Sequence, residues 1–265
     1  MIAFSNCKIN IGLNIVSKRA DGYHNIDSLM YPIQYCDMVE VLHSSKFELI
    51  NLGLKIDCST EDNLCYKAYN LMAGKYKIDP VKIVLYKKIP FGTGLGAGSS
   101  NAAFTIKLID NLFQLNLSND DMKNIASELG SDCSFFIENK PSIVSGRGEI
   151  LKNSDLNLDK YKIVVVLTKF NISTKAAYSA ITPKEQEISI EEKIKKPIKE
   201  WKNILTNDFE EYAFSLYPQL ADIKNKFYDE GAIYSQMSGS GTAIFAIFEE
   251  RSREIKIDGV ELITI

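Results

Sequence analysis

Residues 87–101, KKIPFGTGLGAGSSN, constrain this 265-residue chain more than any other stretch. They lie between an alternating run over residues 81–89 and a helical pattern from about Ser99 to Phe113. Gly92, Gly94, Gly96, Ala97 and Gly98 have almost no side chain, and Ser99, Ser100 and Asn101 follow at once. A loop of this kind opening a helix leaves backbone N–H groups unobstructed and aimed at one point, where the helix end adds about half a positive charge. Such a concavity suits a phosphate chain. Neither common phosphate motif is present. A P-loop needs a lysine after its last glycine, and no register of this loop gives Gly-x-Gly-x-x-Gly. A plain strand-to-helix turn uses the same residue types. Glycine at this density nevertheless weakens a turn unless something must approach the backbone closely.

The rest of the composition narrows the class. With 45% hydrophobic and 25% charged residues, the chain builds an ordinary core, and its length allows one large domain or two of common size. A net charge of -3 argues against a general nucleic-acid or anionic-membrane binder. No apolar run approaches the roughly 18 residues of a membrane span. The opening MIAFSNCKIN lacks a basic region followed by an apolar core, so no signal peptide is expected and the cytoplasm is the expected location. Cys7, Cys36, Cys58, Cys65 and Cys133 form no CxxC pair and read as reduced thiols. With His24 and His43 the only histidines, a metal site built on several imidazoles is excluded.

Residues 2–16 alternate, with Ile9, Ile11, Leu13 and Ile15 on one face and Lys8, Asn10, Gly12 and Asn14 on the other. That second face is either the solvated side of an edge strand or a ligand surface. Asp21-Gly22 predicts a hairpin turn that presents Tyr23 and His24 just beyond it, to stack on a flat ring or simply to pack. Strands are expected at 27–35, 38–42, 47–50 and 54–57, and a helix starting within Ser59-Thr60-Glu61-Asp62 and ending near Gly74. Ser118-Asn119-Asp120-Asp121 is a capping box opening a helix that Gly130 stops. Asp132 either caps a short helix over 133–137 or stands half-buried beside Phe135 and Phe136, able to take a proton from a hydroxyl. A strand and turn cover 142–150, and the polar residues 153–160 read as a linker between domains. Residues 161–167 predict a strand buried on both faces. Ser173 or Thr174 caps a helix through Tyr178 and Ala180. Residues 184–200 predict a solvated helix broken at Pro197, with helices at about 207–216 and 218–230 after it. Met237-Ser238-Gly239-Ser240-Gly241-Thr242, before a strand at 243–248, is a turn or a second set of backbone donors.

Three of these stretches together resemble the GHMP small-molecule kinases: Lys8-Ile9-Asn10 on the first strand, Pro90 to Asn101, and Met237 to Thr242. Arg19-Ala20-Asp21-Gly22-Tyr23-His24, Asp62-Asn63-Leu64, Gly130-Ser131-Asp132 and Gly146-Arg147-Gly148-Glu149 narrow the resemblance to members acting on a cytidine-diphosphate substrate. It implies an α+β, two-domain fold, ribosomal S5 domain 2-like over residues 1–152 and ferredoxin-like over 153–265, with the site in the cleft. It implies transfer of the γ-phosphoryl group of ATP to the 2-hydroxyl of an erythritol moiety, in the non-mevalonate route to isoprenoid precursors. In that chemistry Asp132 takes the hydroxyl proton, and Lys8 orients the carboxylate and offsets charge. Asn63 touches adenine. Pro90, Gly92, Gly94, Leu95, Gly96, Ala97, Gly98, Ser99, Ser100 and Asn101 wrap the ATP phosphates. Tyr23 and Tyr178 sandwich cytosine, His24 reads its edge, and Asn10, Thr174, Gly239 and Ser240 meet the substrate or transferred phosphate. Mg²⁺ is expected with ATP, Ser100 its one candidate protein ligand. Expected partners are small molecules alone, with no nucleic acid or membrane, and the chain a monomer or weak homodimer. Departures from the pattern are Asn6-Cys7 where Pro-Ala is usual, and Ala97 where glycine is common. Homoserine- or mevalonate-type kinases and a non-catalytic nucleotide sensor are the alternatives.

Overall fold

A computed structural model describes residues 1–56, 58–250, 255–257 and 262–265. Its contacts form two compact units that interleave along the chain. One contains Met1–Cys7, Gln34–Phe91 and Gly96–Lys140; the other contains Lys8–Ile33, Gly92–Leu95 and Pro141–Ile265. Strands β1 (Ile2–Lys18) and β2 (His24–His43) contribute residues to both.

In the first unit the later half of β2 runs antiparallel to β4 (Val81–Lys87), pairing Val39 with Leu85 and Val41 with Ile83. Strand β3 (Glu48–Gly53) lies parallel to β4 on its other side, Leu49 opposite Ile83. Val39, Val41, Ile83 and Leu85 share one face and are buried, as period-two alternation requires. Four helices complete this unit, the second and third each touching the other three: α1 (Leu64–Tyr76), α2 (Ala97–Phe113), α3 (Asn119–Leu129) and α4 (Phe135–Glu138). Helix α1 starts later than expected. Asn63 is its cap, its side chain accepting from the Cys65 N–H, so residues 59–62 remain turn. The Ser118 capping box forms as read, with Asp121 answering at the third position.

In the second unit the first half of β2 pairs with β5 (Ser142–Ser145), and β5 with β6 (Ile150–Asn153), all antiparallel. A separate antiparallel sheet has the order β10-β7-β9-β8, from β7 (Tyr161–Val166), β8 (Tyr234–Met237), β9 (Ile244–Glu249) and β10 (Leu262–Thr264). Helices α5 (Thr174–Ala180), α6 (Ile190–Lys193), α7 (Ile198–Ile204), α8 (Phe209–Leu216) and α9 (Pro218–Asp229) belong to the same unit.

Several expectations need correction. The strands at 27–35 and 38–42 are one strand, β2, unbroken at Cys36 and Asp37. The strand expected at 54–57 is absent over the described residues 54–56, and Asp57 lies outside them. Residues 184–200 hold only α6 and α7, separated at Pro197, which lacks the N–H to continue a helix. Within residues 153–160, Leu158 is buried and its N–H donates to the Tyr31 hydroxyl at 3.1 Å. Lys8, Asn10 and Asn14 are buried, so the polar side of β1 is not a solvated edge.

Candidate active site

In the first unit, α2 begins where the sequence forces it to. Gly96 is its cap with φ 68°, a conformation that glycine adopts without strain, and no side chain caps the helix. The first N–H groups of α2 thus have no side-chain acceptor, and the helix end is electropositive. The Ser100 hydroxyl is fully buried and has no hydrogen-bond partner. An uncapped helix start with an orphaned hydroxyl in its first turn is the arrangement an anion completes.

Beside that start lies a cavity of about 150 Å³, lined by Asn63, Leu64, Cys65, Leu85, Phe91 and Gly98 among others. Its walls are mostly apolar and suit a flat ring. Asn63 offers a donor there, because its side-chain oxygen already accepts from Cys65 N–H at 2.9 Å. Burial pushes the Cys65 thiol up to about 11 and the Cys133 thiol up to about 12, so both are neutral at physiological pH. Below the loop, Asp37 accepts from the Lys88 and Ile89 N–H groups at 2.7 and 2.8 Å, from Asn101 Nδ2 at 3.0 Å and from the Lys87 ammonium. Asp132 lies in this unit, half-buried in the turn between α3 and α4. It is not the cap of α4. That position is Ser134, whose hydroxyl donates instead to the Lys123 carbonyl at 2.9 Å.

In the second unit, Lys8 is 3% exposed. Its ammonium donates to Asn10 Oδ1 at 2.5 Å and to the Gly94 carbonyl at 3.0 Å, and its backbone N–H to the Leu95 carbonyl at 3.0 Å. Ser238 Oγ also donates to the Gly94 carbonyl at 3.0 Å and accepts from Asn10 N–H at 3.2 Å. Gly94 has φ 76°, and a Cβ there would collide with the Ser238 carbonyl. Only glycine lets these backbones approach so closely. The first and third motifs therefore meet the start of the second: Lys8, Asn10, Gly94 and Ser238 form one cluster.

Tyr23 follows the hairpin turn, which Asp21 closes by accepting the Tyr23 N–H at 3.1 Å. The Tyr23 ring lies 4.9 Å from the Arg147 guanidinium. His24 stacks on Tyr178 with centroids 5.2 Å apart, and Tyr178 meets Phe209 edge-on at 4.8 Å. Burial and the nearby Lys18 lower the His24 pKa, favouring the neutral imidazole. Ser173, not Thr174, caps α5; the Thr174 hydroxyl lies 3.3 Å from that of Ser240.

Sequence reasoning missed the residues that hold this polar cluster. Ser28 accepts from Asn10 Nδ2 at 2.8 Å and donates to the Gly12 carbonyl at 2.7 Å. Gln236 accepts the Gly12 N–H at 2.7 Å. Asn207 donates to the Met237 and Gly239 carbonyls, each at 2.8 Å, and so grips the late glycine loop on either side of Ser238. Its one sequence signal is its place in Thr206-Asn207-Asp208, just before α8, where Asn207 Oδ1 accepts the Phe209 N–H. Among the described residues no group of three or more His, Cys, Asp or Glu side chains could hold a metal ion, and no helix is long and apolar enough to cross a membrane.

Comparison with known proteins identifies the family. The profile for the GHMP kinases N terminal domain matches residues 63–139, and that for the GHMP kinases C terminal matches residues 189–258. A 4-diphosphocytidyl-2-C-methyl-D-erythritol kinase of Bacteroides thetaiotaomicron is 45% identical over 253 residues, covering 94% of this chain and 92% of the relative. The crystal structure of a 4-(cytidine 5'-diphospho)-2C-methyl-D-erythritol kinase superposes with a TM-score of 0.80 at 28% identity, covering 93% of this chain and 90% of that one. The Methanococcus jannaschii mevalonate kinase, 15% identical with a TM-score of 0.73 and covering 100% of this chain and 97% of that one, shares the fold alone. Sequence motifs, glycine-loop geometry and near-full-length identity thus agree, and the chain belongs to the GHMP kinases, within the family of the 4-diphosphocytidyl-2-C-methyl-D-erythritol kinases.

Proposed function

We propose that this protein transfers the γ-phosphoryl group of ATP to the 2-hydroxyl of 4-diphosphocytidyl-2-C-methyl-D-erythritol, giving the 2-phosphate and ADP in the non-mevalonate route to isoprenoid precursors. The observation that carries the reading is identity of 45% across 94% of the chain to a kinase of that name. The resemblance to a mevalonate kinase is at 15% identity and supports no acceptor.

The residues present fit the donor. ATP phosphates would take the uncapped N–H groups at the start of α2, and adenine the apolar cavity beside Asn63 and Phe91. The buried Ser100 hydroxyl, without a protein partner, fits as a ligand for Mg²⁺. Such an ion would neutralise charge on the phosphates, and they and water would supply most of its oxygens. The acceptor oxygen forms the new bond to phosphorus as the bond to the bridging oxygen of ADP breaks. The hydroxyl proton passes to the Asp132 carboxylate. Lys8, fixed by Asn10 and the Gly94 carbonyl, would offset charge on the transferred group. Tyr23 and Tyr178 would hold the cytosine between them, His24 moving from the face of Tyr178 to the edge of the base. Thr174, Gly239 and Ser240 would line the path to the transferred phosphate. The family's two domains would divide at 152/153, with the two family profiles falling on either side. The protein would work in the cytoplasm, as a monomer or weak homodimer.

A coupled ADP-release assay tests the reading, with 4-diphosphocytidyl-2-C-methyl-D-erythritol as acceptor and homoserine and mevalonate as controls. Turnover with the cytidine substrate alone is expected; faster turnover with either control would overturn the reading.

A further inference from the structure

Asp37 sits in the middle of β2, 1% exposed, and belongs to none of the motifs above. Its carboxylate receives four donors, which come from both ends of the glycine loop. Oδ1 accepts the N–H groups of Lys88 and Ile89, where the loop leaves β4. Oδ2 accepts Asn101 Nδ2, in the first turns of α2 where the loop ends, and the ammonium of Lys87. Asn101 is held from its other side by Ser5, whose hydroxyl donates to Asn101 Oδ1 at 2.7 Å and is itself fully buried. The Lys87 ammonium also lies 5.1 Å from the centroid of Phe91, a wall of the cavity beside the loop.

A buried carboxylate is costly unless charge and hydrogen bonds compensate it, and a hydrophobic pair in its place is often no less stable. Stability alone does not explain why this one is placed where two backbone N–H groups from one end of a loop and a side-chain amide from the other converge. Its effect is geometric: with Asp37 in place, the loop's ends and the ring of Phe91 have one arrangement. We infer that Asp37, with Lys87 and Ser5, is a positioning group for the nucleotide loop, fixing the donor site for ATP without touching ATP. The inference rests on the reading of that loop as the ATP site.

The test compares the KM values of the two substrates in the full-length enzyme. Asp37→Asn turns a donor toward Asn101 and Lys87. It is expected to raise the KM for ATP about tenfold or more, while the KM for the cytidine substrate moves less than about twofold. Asp37→Asn/Lys87→Met removes the unpaired ammonium and is expected to recover the melting temperature but not the ATP KM. Ser5→Ala, which deletes one hydrogen bond, is expected to raise the ATP KM about threefold, and it decides the matter if the Asp37 variants do not fold. An unchanged ATP KM in a folded Asp37→Asn or in Ser5→Ala, equal rises for both substrates, or an ATP KM that recovers together with the melting temperature would each overturn the inference. Failure of the wild type to bind ATP would instead overturn the reading of the loop.

Discussion

Lys8 is fixed in place by groups of its own unit: a buried strand residue whose ammonium already lies between Asn10 and the Gly94 carbonyl. Such prior ordering is what electrostatic catalysis requires, since little rearrangement remains at the moment of transfer. Asp132→Asn removes the proposed proton acceptor, and turnover is expected to fall about 10²–10⁴-fold with both KM values nearly unchanged, read by steady-state kinetics. Near-normal turnover would remove Asp132 from the chemistry. Asn63 separates two duties. Asp is as good a helix cap as Asn but has no amide donor, so Asn63→Asp should keep its melting temperature while the ATP KM rises several-fold. A matching loss of stability would mean that the cap alone matters. His24 carries a pH signature. Its folded pKa is lowered by burial and Lys18, so the neutral ring is the favoured partner of Tyr178. That contribution is present above the unfolded value of about 6.5 and is lost as pH falls through it toward the lower folded value. Between about pH 7.5 and 5.5, wild type should lose more melting temperature than His24→Gln; equal losses would dismiss the coupling.

At the scale of elements, what was legible was what depends on local order. The glycine loop, the capping box at Ser118 and the alternation of β1 and β4 follow from neighbours in sequence, and each forms within two residues of where it was read. What was not legible depends on distant pairing. The two faces of β1 are buried by partners as remote as Gln236 and Ser238, so the alternation predicted a strand but could not say that its polar side is interior. Asp37 looks like a strand interruption in sequence because its four donors come from positions 87–101. Asn207 was invisible for the same reason, its carbonyl partners lying about one helix pair downstream. Asn207→Ala leaves those two buried carbonyls without their donor and is expected to cost about 1–3 kcal/mol in urea unfolding. Turnover should fall about tenfold as the loop around Ser238 loosens. Full activity in a destabilised variant would make Asn207 a folding residue only.

At the scale of the molecule, ligand linkage gives a direct check. A protein that binds ATP only when folded gains about 2.7 kcal/mol at a hundred times the dissociation constant, so its melting temperature should rise with ATP and not with cytidine triphosphate. Equal shifts would remove the adenine assignment of the cavity beside Asn63.

The interleaving of the two units has a practical outcome for anyone cutting this chain. The backbone passes from one unit to the other at 7/8, 33/34, 91/92, 95/96 and 140/141, the third and fourth of these inside the glycine loop itself. A piece starting at residue 153 would lack residues 8–33, 92–95 and 141–152 of its own unit, including the lysine strand. Recombinant halves should thus regain their shape only when produced together, and a swap of C-terminal halves between relatives would carry mismatched seams rather than a clean graft.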